Sequence, residues 1–185
     1  MKSFEEVYEV VKNTLSEKRF RHSEKVMERC VEFAKLYDED VEKARLVGIA
    51  HDIAKEIPKA KRVEEAEKDG VILNEFEKQH TSLIHAKHGA VICEKRFGFS
   101  EDMCDAISFH STAKAGMSKL DKILYLADFC EEDRTFVESK KAYEIGKENL
   151  DEAYLYALSE NIKFMLEERR QLDIASIDAY NDMLK

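Results

Sequence analysis

The chain has 185 residues, enough for one domain with a substantial core and few for two, so residues 1–185 are read as a single unit. Hydrophobic residues make up 44% and charged residues 37%, an ordinary mix for a globular protein, and no run of about eighteen apolar residues is present to span a membrane. The net charge of −9 argues against wrapping nucleic acid, whose phosphates need stripes of Lys and Arg. It leaves room for a small phosphorylated ligand, because bound cations can supply a local positive field.

The start, Met1-Lys2-Ser3-Phe4-Glu5-Glu6, carries early acids and no apolar signal region, so the expected location is cytoplasmic. Cys30, Cys93, Cys104 and Cys130 are far apart in sequence and form no CxxC pair. Each falls in an apolar helical pattern, which predicts reduced, small, buried side chains.

One proline and six glycines leave few breakers, and alternating β-branched runs are lacking, so the expectation is an all-α bundle of about eight to ten helices. Ser3 opens the first helix, with Glu6 three residues on as a capping box and Phe4, Val7, Val11 and Leu15 inward. A second helix runs from about Arg19 to Tyr37, with His22, Val26, Cys30, Phe33 and Tyr37 on one face. Asp40 caps a third, whose inner face is Ala44, Val47, Gly48 and His51, and which is expected to continue through Lys55. Pro58 opens a short charged helix that Gly70 ends. The next spans Thr81 to Phe97, with Leu83, His85, Gly89 and Ile92 in its pattern and Gly98 as its stop. Ser100 starts another, turning Met103, Ala106, Ile107 and His110 inward, and residues 111–117 form a loop. Ser118 with Asp121 begins a helix carrying Leu120, Leu124 and Asp128; helices at roughly 138–147, 150–168 and 174–184 follow. Residues 18–135 are expected to form the core, with the C-terminal helices of 138–185 packed on it.

His22, His51, His110 and Asp128 each fall in line with an apolar helix face, where an imidazole or carboxylate is costly unless paired or bound to a cation. Asp52 follows His51 directly, and Lys55 lies one helical turn beyond, so these residues can reach a common centre. A lone His-Asp dipeptide is common by chance, and a single inward His is more often a hydrogen-bonded core residue. An inward Asp128 alone is equally compatible with an arginine partner. The set as a whole, spread over four helices, is what points to chemistry.

His22, the pair His51-Asp52 and Asp128 match an H…HD…D pattern, and in this the chain resembles the HD superfamily of metal-dependent phosphohydrolases. The segments KRFRHSEKV (18–26), GIAHDIAK (48–55), LIHAKHGAVI (83–92), ISFHSTAKAGM (107–117) and LDKILYLADFCEEDR (120–134) are similar, in order and spacing, to the YqeK family. That resemblance implies an enzyme that hydrolyses diadenosine tetraphosphate symmetrically to two ADP and uses iron. It makes His22, His51, Asp52 and Asp128 ligands of one metal, with His85 and His110 completing a second beside it and Asp52 bridging. Imidazole plus carboxylate ligands suit iron, manganese or zinc. Two metals sharing a carboxylate can hold a hydroxide at neutral pH, which would attack a phosphorus in line. Asp52 and Lys55 are the catalytic pair in this reading, Lys55 neutralising charge on the equatorial oxygens. His22, His110, Thr112 and Arg134 also face the substrate, Arg134 gripping a more distant phosphate. His80 and His88 stay outside the site, His88 at the surface or behind the ligands.

The chain departs from the family at Ala113, Lys114 and Ala115, where glycine, arginine and proline are more usual, and over Arg170 to Ala175. Neither departure touches a proposed ligand; both bear on substrate preference. Alternatives from the residues are hydrolysis of another nucleotide (a nucleoside monophosphate or a guanosine polyphosphate), a nucleotide-binding regulator with little turnover, and a helical interaction module. Oligomeric state is open, and a homodimer is compatible with a helical domain of this size.

Overall fold

In a computed structural model describing residues 1–185, seven of the eleven helices begin on a residue whose side chain accepts from the unpaired first N–H groups. Ser3 caps α1 (Phe4–Thr14) in a full capping box with Glu6, and Ser16 caps α2 (Glu17–Leu36) through the Arg19 N–H. The Asp40 carboxylate accepts from Glu42 and Lys43 at the head of α3 (Val41–Ala50). Pro58 precedes a 3-10 turn, Lys59–Lys61, that runs into α4 (Arg62–Lys68). Gly70 follows at a φ of 87°, a backbone state that favours glycine. A second capping box, Asn74 with Glu77, starts α5 (Glu75–Gln79), and α6 (Ile84–Phe97) ends on Gly98 in the left-handed region. Then come α7 (Glu101–Phe109) and α8 (Lys119–Phe129), the latter opened by the Ser118–Asp121 capping box. The chain finishes with α9 (Val137–Gly146), α10 (Leu150–Glu167) and α11 (Ile174–Asp182).

The architecture is all-α, with eleven α-helices rather than eight to ten. The surplus is α5, five residues long and too charged to show an apolar period. A second difference matters more for the site. α3 stops at Ala50, so His51, Asp52 and Lys55 lie on tight turns and not on continuing helix. The reason is local: the His51 ring donates from Nδ1 to the Gly48 carbonyl at 2.8 Å, occupying the acceptor that the Asp52 N–H would otherwise use.

A continuous apolar cluster from Val7 to Ala179 takes residues from every helix except α4 and α5. α4 rests on a small cluster of its own, in which Ala66 meets Val71, Leu73 and Ile84, the last at the start of α6. α2 and α3 lie against each other at very short range. A Cβ built on Gly48 would fall 2.7 Å from the Met27 Cα, closer than real Cβ contacts come. That approach brings His22 and His51 together, with ring centroids 5.4 Å apart. Cys30, Cys93 and Cys130 are buried, Cys104 is half-buried, and all four are free thiols.

Candidate active site

Four histidines from four parts of the chain converge on one carboxylate. Asp52 is buried, and its two oxygens face different partners. Oδ2 lies 3.5 Å from His51 Nε2 and 3.8 Å from His22 Nε2; Oδ1 lies 3.2 Å from His85 Nε2 and 3.7 Å from His110 Nε2. Asp128, near the end of α8, completes the first side, with Oδ1 3.2 Å from His22 Nε2. His51 follows the last residue of α3, His110 follows the last of α7, and His85 stands in the first turn of α6. Helix ends thus deliver most of the set.

The other ring nitrogen of each histidine is already engaged. Nδ1 of His51, His85 and His110 donates to the backbone carbonyl three residues earlier, Gly48, Ser82 and Ile107, at 2.8, 2.6 and 2.7 Å. Nδ1 of His22 donates instead to the buried Glu131 carboxylate, at 3.3 Å. These bonds fix the tautomer and aim each Nε2 lone pair inward, the arrangement that metal-ligating histidines adopt.

The converging atoms have no adequate partners among themselves. Nε2 of His22, Nε2 of His51 and Oδ1 of Asp52 are buried without a hydrogen bond. His85 and His110 face each other Nε2 to Nε2 at 3.1 Å, two lone pairs that repel unless a positive charge lies between them. Unsatisfied buried acceptors of this kind are costly, and a cation satisfies all of them at once. His22, His51 and Asp128 form one compact group of ligand atoms, and His51, Asp52 and His110 a second. Mixed imidazole and carboxylate donors suit a divalent transition metal, so the residues present fit a metal site.

Electrostatics agree with the geometry. Burial would raise Asp52, but His51 beside it, with His110 and His85, holds the carboxyl well below the usual range. Burial works the same way on Asp128 and is outweighed first by the His22 hydrogen bond. His22 is itself depressed by burial, yet Asp128 wins and its pKa ends above the ordinary value. Burial pushes His85 down to about 4, leaving a neutral ring able to ligate. Three cationic side chains border the cluster. Lys55 Nζ donates to His85 Nε2 at 2.9 Å and lies 3.5 Å from Asp52 Oδ1. Arg19 donates to Asp52 Oδ2 at 2.9 Å, and Arg134 to Asp128 Oδ1 at 3.0 Å.

The structure therefore gathers His22, His51, Asp52, Lys55, His85, His110, Asp128 and Arg134 at one place. Thr112 is different: its side chain makes no hydrogen bond to the cluster, and its carbonyl accepts from Ser176. The hydroxyl that does reach in is Ser111, 3.3 Å from His85 Nε2. His88 is buried rather than superficial and bonds Asp69 at 2.7 Å; His80 stacks on Phe76. Lys114 pairs with Asp105 at 2.5 Å. Sequence reasoning passed over Arg19 and Glu131. Arg19 stands one helical turn before His22, and Glu131 lies just past the end of α8, three residues after Asp128; neither spacing announces anything by itself.

The HD domain family matches residues 19–133. The chain is 33% identical to a symmetrical bis(5'-nucleosyl)-tetraphosphatase of Halalkalibacterium halodurans, over 95% of this chain and 94% of that protein. Its identity to the symmetrical bis(5'-nucleosyl)-tetraphosphatase of Bacillus subtilis is 29%, over 96% and 95%. Among solved structures, a predicted HD superfamily hydrolase involved in NAD metabolism from Clostridium acetobutylicum superposes with a TM-score of 0.94, at 34% identity, over 100% of this chain and 98% of that one. The matched span runs from just before His22 to just past Asp128, so it encloses the converging histidines and both aspartates, and the chain belongs to the HD domain family of hydrolases, in its YqeK-like branch.

Proposed function

We propose that this chain hydrolyses a dinucleoside tetraphosphate symmetrically, with diadenosine tetraphosphate as substrate and two ADP as products. One observation carries the reading: four Nε2 lone pairs, each with its opposite nitrogen tied off, converge on the separate oxygens of Asp52. The substrate class comes from the relatives. His22, His51, Asp52 and Asp128 are assigned to one cation; His85 and His110, with Asp52 shared, are assigned to a second. Iron is the expected metal, and manganese and zinc accept the same donors. When bound, such a pair supplies Lewis acidity toward phosphoryl oxygens and lowers the pKa of a water.

The chain's own groups do the remaining work. Asp52 keeps its negative charge in a buried position and so holds the two halves of the cluster together. Lys55 sets a positive charge beside His85, where the equatorial oxygens of a reacting phosphoryl group concentrate charge. Arg134 is anchored by Asp128 and keeps further N–H groups for a neighbouring phosphate. Ser111, in place of Thr112, offers a hydroxyl to the same oxygens. The reading involves no nucleic acid and no membrane, and no helix is long and apolar enough to cross one. Its setting is the cytoplasm.

Elemental analysis of the purified protein, paired with separation of the products from diadenosine tetraphosphate, tests this directly. About two metal ions per chain and ADP as sole product are expected. Metal without cleavage removes the substrate assignment, and absence of metal after reconstitution with iron or manganese removes the site.

A further inference from the structure

A cleft of about 620 Å³ opens off the His/Asp cluster, between the end of α8 and the outer parts of α9 and α10. Sites for small organic ligands range over about 300–1,000 Å³. His110, Ser111, Asp128 and Arg134 form the inner end, shared with the cluster. The rest of the wall has another chemistry.

Glu138, Glu160 and Glu167 line it, against a single additional cation, Lys163, which is already paired with Glu160 at 3.5 Å. A polyphosphate lying along that wall would be repelled. A ribose is suited to it, because carboxylates only accept and sugar hydroxyls donate. Phe129, Phe136 and Phe164 also line the cleft, Phe129 and Phe136 meeting edge to face at 5.3 Å. Phe164 leaves 49% of its surface exposed, and the Arg170 guanidinium, outside the cleft lining, lies 5.3 Å from its ring centroid. Asn161 lines the same cleft, and its Nδ2 donates to the buried Tyr125 hydroxyl at 2.7 Å. That bond orients the amide and leaves one N–H and the carbonyl oxygen for the edge of a base.

Resting on the hydrolase reading above, we propose that this cleft is a nucleoside subsite. The base stacks on Phe164 beside Phe136 with Asn161 at its edge, the ribose hydroxyls meet the acidic wall, and the phosphates run past Arg134 to the cluster. Charge divides the work: cations and Arg134 take the phosphates, and the acidic, aromatic part takes what carries no charge.

The test is calorimetric titration of the full-length, metal-loaded protein with ADP and, separately, with inorganic pyrophosphate. The wild type is expected to bind ADP more tightly. Phe164→Ala removes a half-exposed ring from the outer face of α10, so folding is preserved, as a thermal melt would verify. Its ADP affinity should fall about tenfold, the loss of one base–aromatic stack, with pyrophosphate affinity within about twofold of wild type on the same scale. Phe164→Trp should recover ADP binding. Unchanged ADP affinity in Phe164→Ala, or a parallel loss of ADP and pyrophosphate, overturns the subsite. Cleavage of diadenosine tetraphosphate is scored independently. Cleavage with no effect at Phe164 defeats the subsite and spares the hydrolase reading, whereas ADP selectivity lost in Phe164→Ala without any cleavage does the opposite.

Discussion

Asp52, Lys55 and Glu131 occupy one site but act on it in separable ways, and substitutions should separate them. Asp52→Ala removes the group that both halves of the cluster share, and elemental analysis should find the metal gone along with turnover. Full metal content in that variant would contradict the assignment. Lys55→Ala leaves every proposed ligand in place; metal content should be normal while kcat falls about 10²–10³-fold, the usual cost of losing one charge-stabilising donor. Glu131 is the single side chain that fixes a cluster histidine, since the other three rest on backbone carbonyls. Glu131→Ala should weaken metal binding about 10–100-fold, as losses of such supporting carboxylates do. Competition with a coloured chelator measures this, and an unaltered affinity would end the argument for Glu131. His22, His51, His110 and Asp128 were legible because an inward His or Asp stands out on an apolar face, whereas His85 entered only through the family resemblance. Arg19 and Glu131 were not, because their partners lie 33 and 109 residues away and charged residues three apart are everywhere in this chain.

At the scale of elements, the contact of α2 with α3 is the most exacting. Gly48→Ala would push a methyl group against the Met27 backbone and wedge apart the two segments that carry His22 and His51. The expected cost is about 1–3 kcal/mol, read as a lowered melting temperature, together with weaker metal binding. Gly146→Ala meets only the Phe33 ring and the tip of Leu126, at 3.0 Å, which can shift, so its effect should be smaller. Capping chemistry was readable from sequence, and the boxes at Ser3 and Ser118 are where Ser-x-x-acid predicts them. The Asn74 box escaped notice because five residues, EFEKQ, hold no period. The early end of α3 was also hidden, since periodicity reports which face is apolar and says nothing of a ring bonding back to Gly48.

Across the whole molecule, the ligands run from α2 to α8 and draw on helices that share one core, so metal binding and folding should be coupled. A cation present at a hundred times its dissociation constant adds about 2.7 kcal/mol to stability. Chelation should therefore lower the melting temperature by several degrees and added metal restore it, with Asp52→Ala insensitive to both. A melt indifferent to metal would mean that the cluster is not a binding site. His51 and His110 terminate α3 and α7, and Asp128 lies in the last turn of α8, so three helices turn their carbonyl ends toward one spot. Each such end carries a partial negative charge, added here to buried carboxylates in a chain of net charge −9. Arg19, Lys55 and Arg134 stand against that charge at the rim, so the helix ends add a bias toward cations at the centre while the rim keeps positive charge for phosphate. A nucleotide should therefore bind the metal-loaded protein more tightly than the chelated one, which titration of both forms with ADP would show.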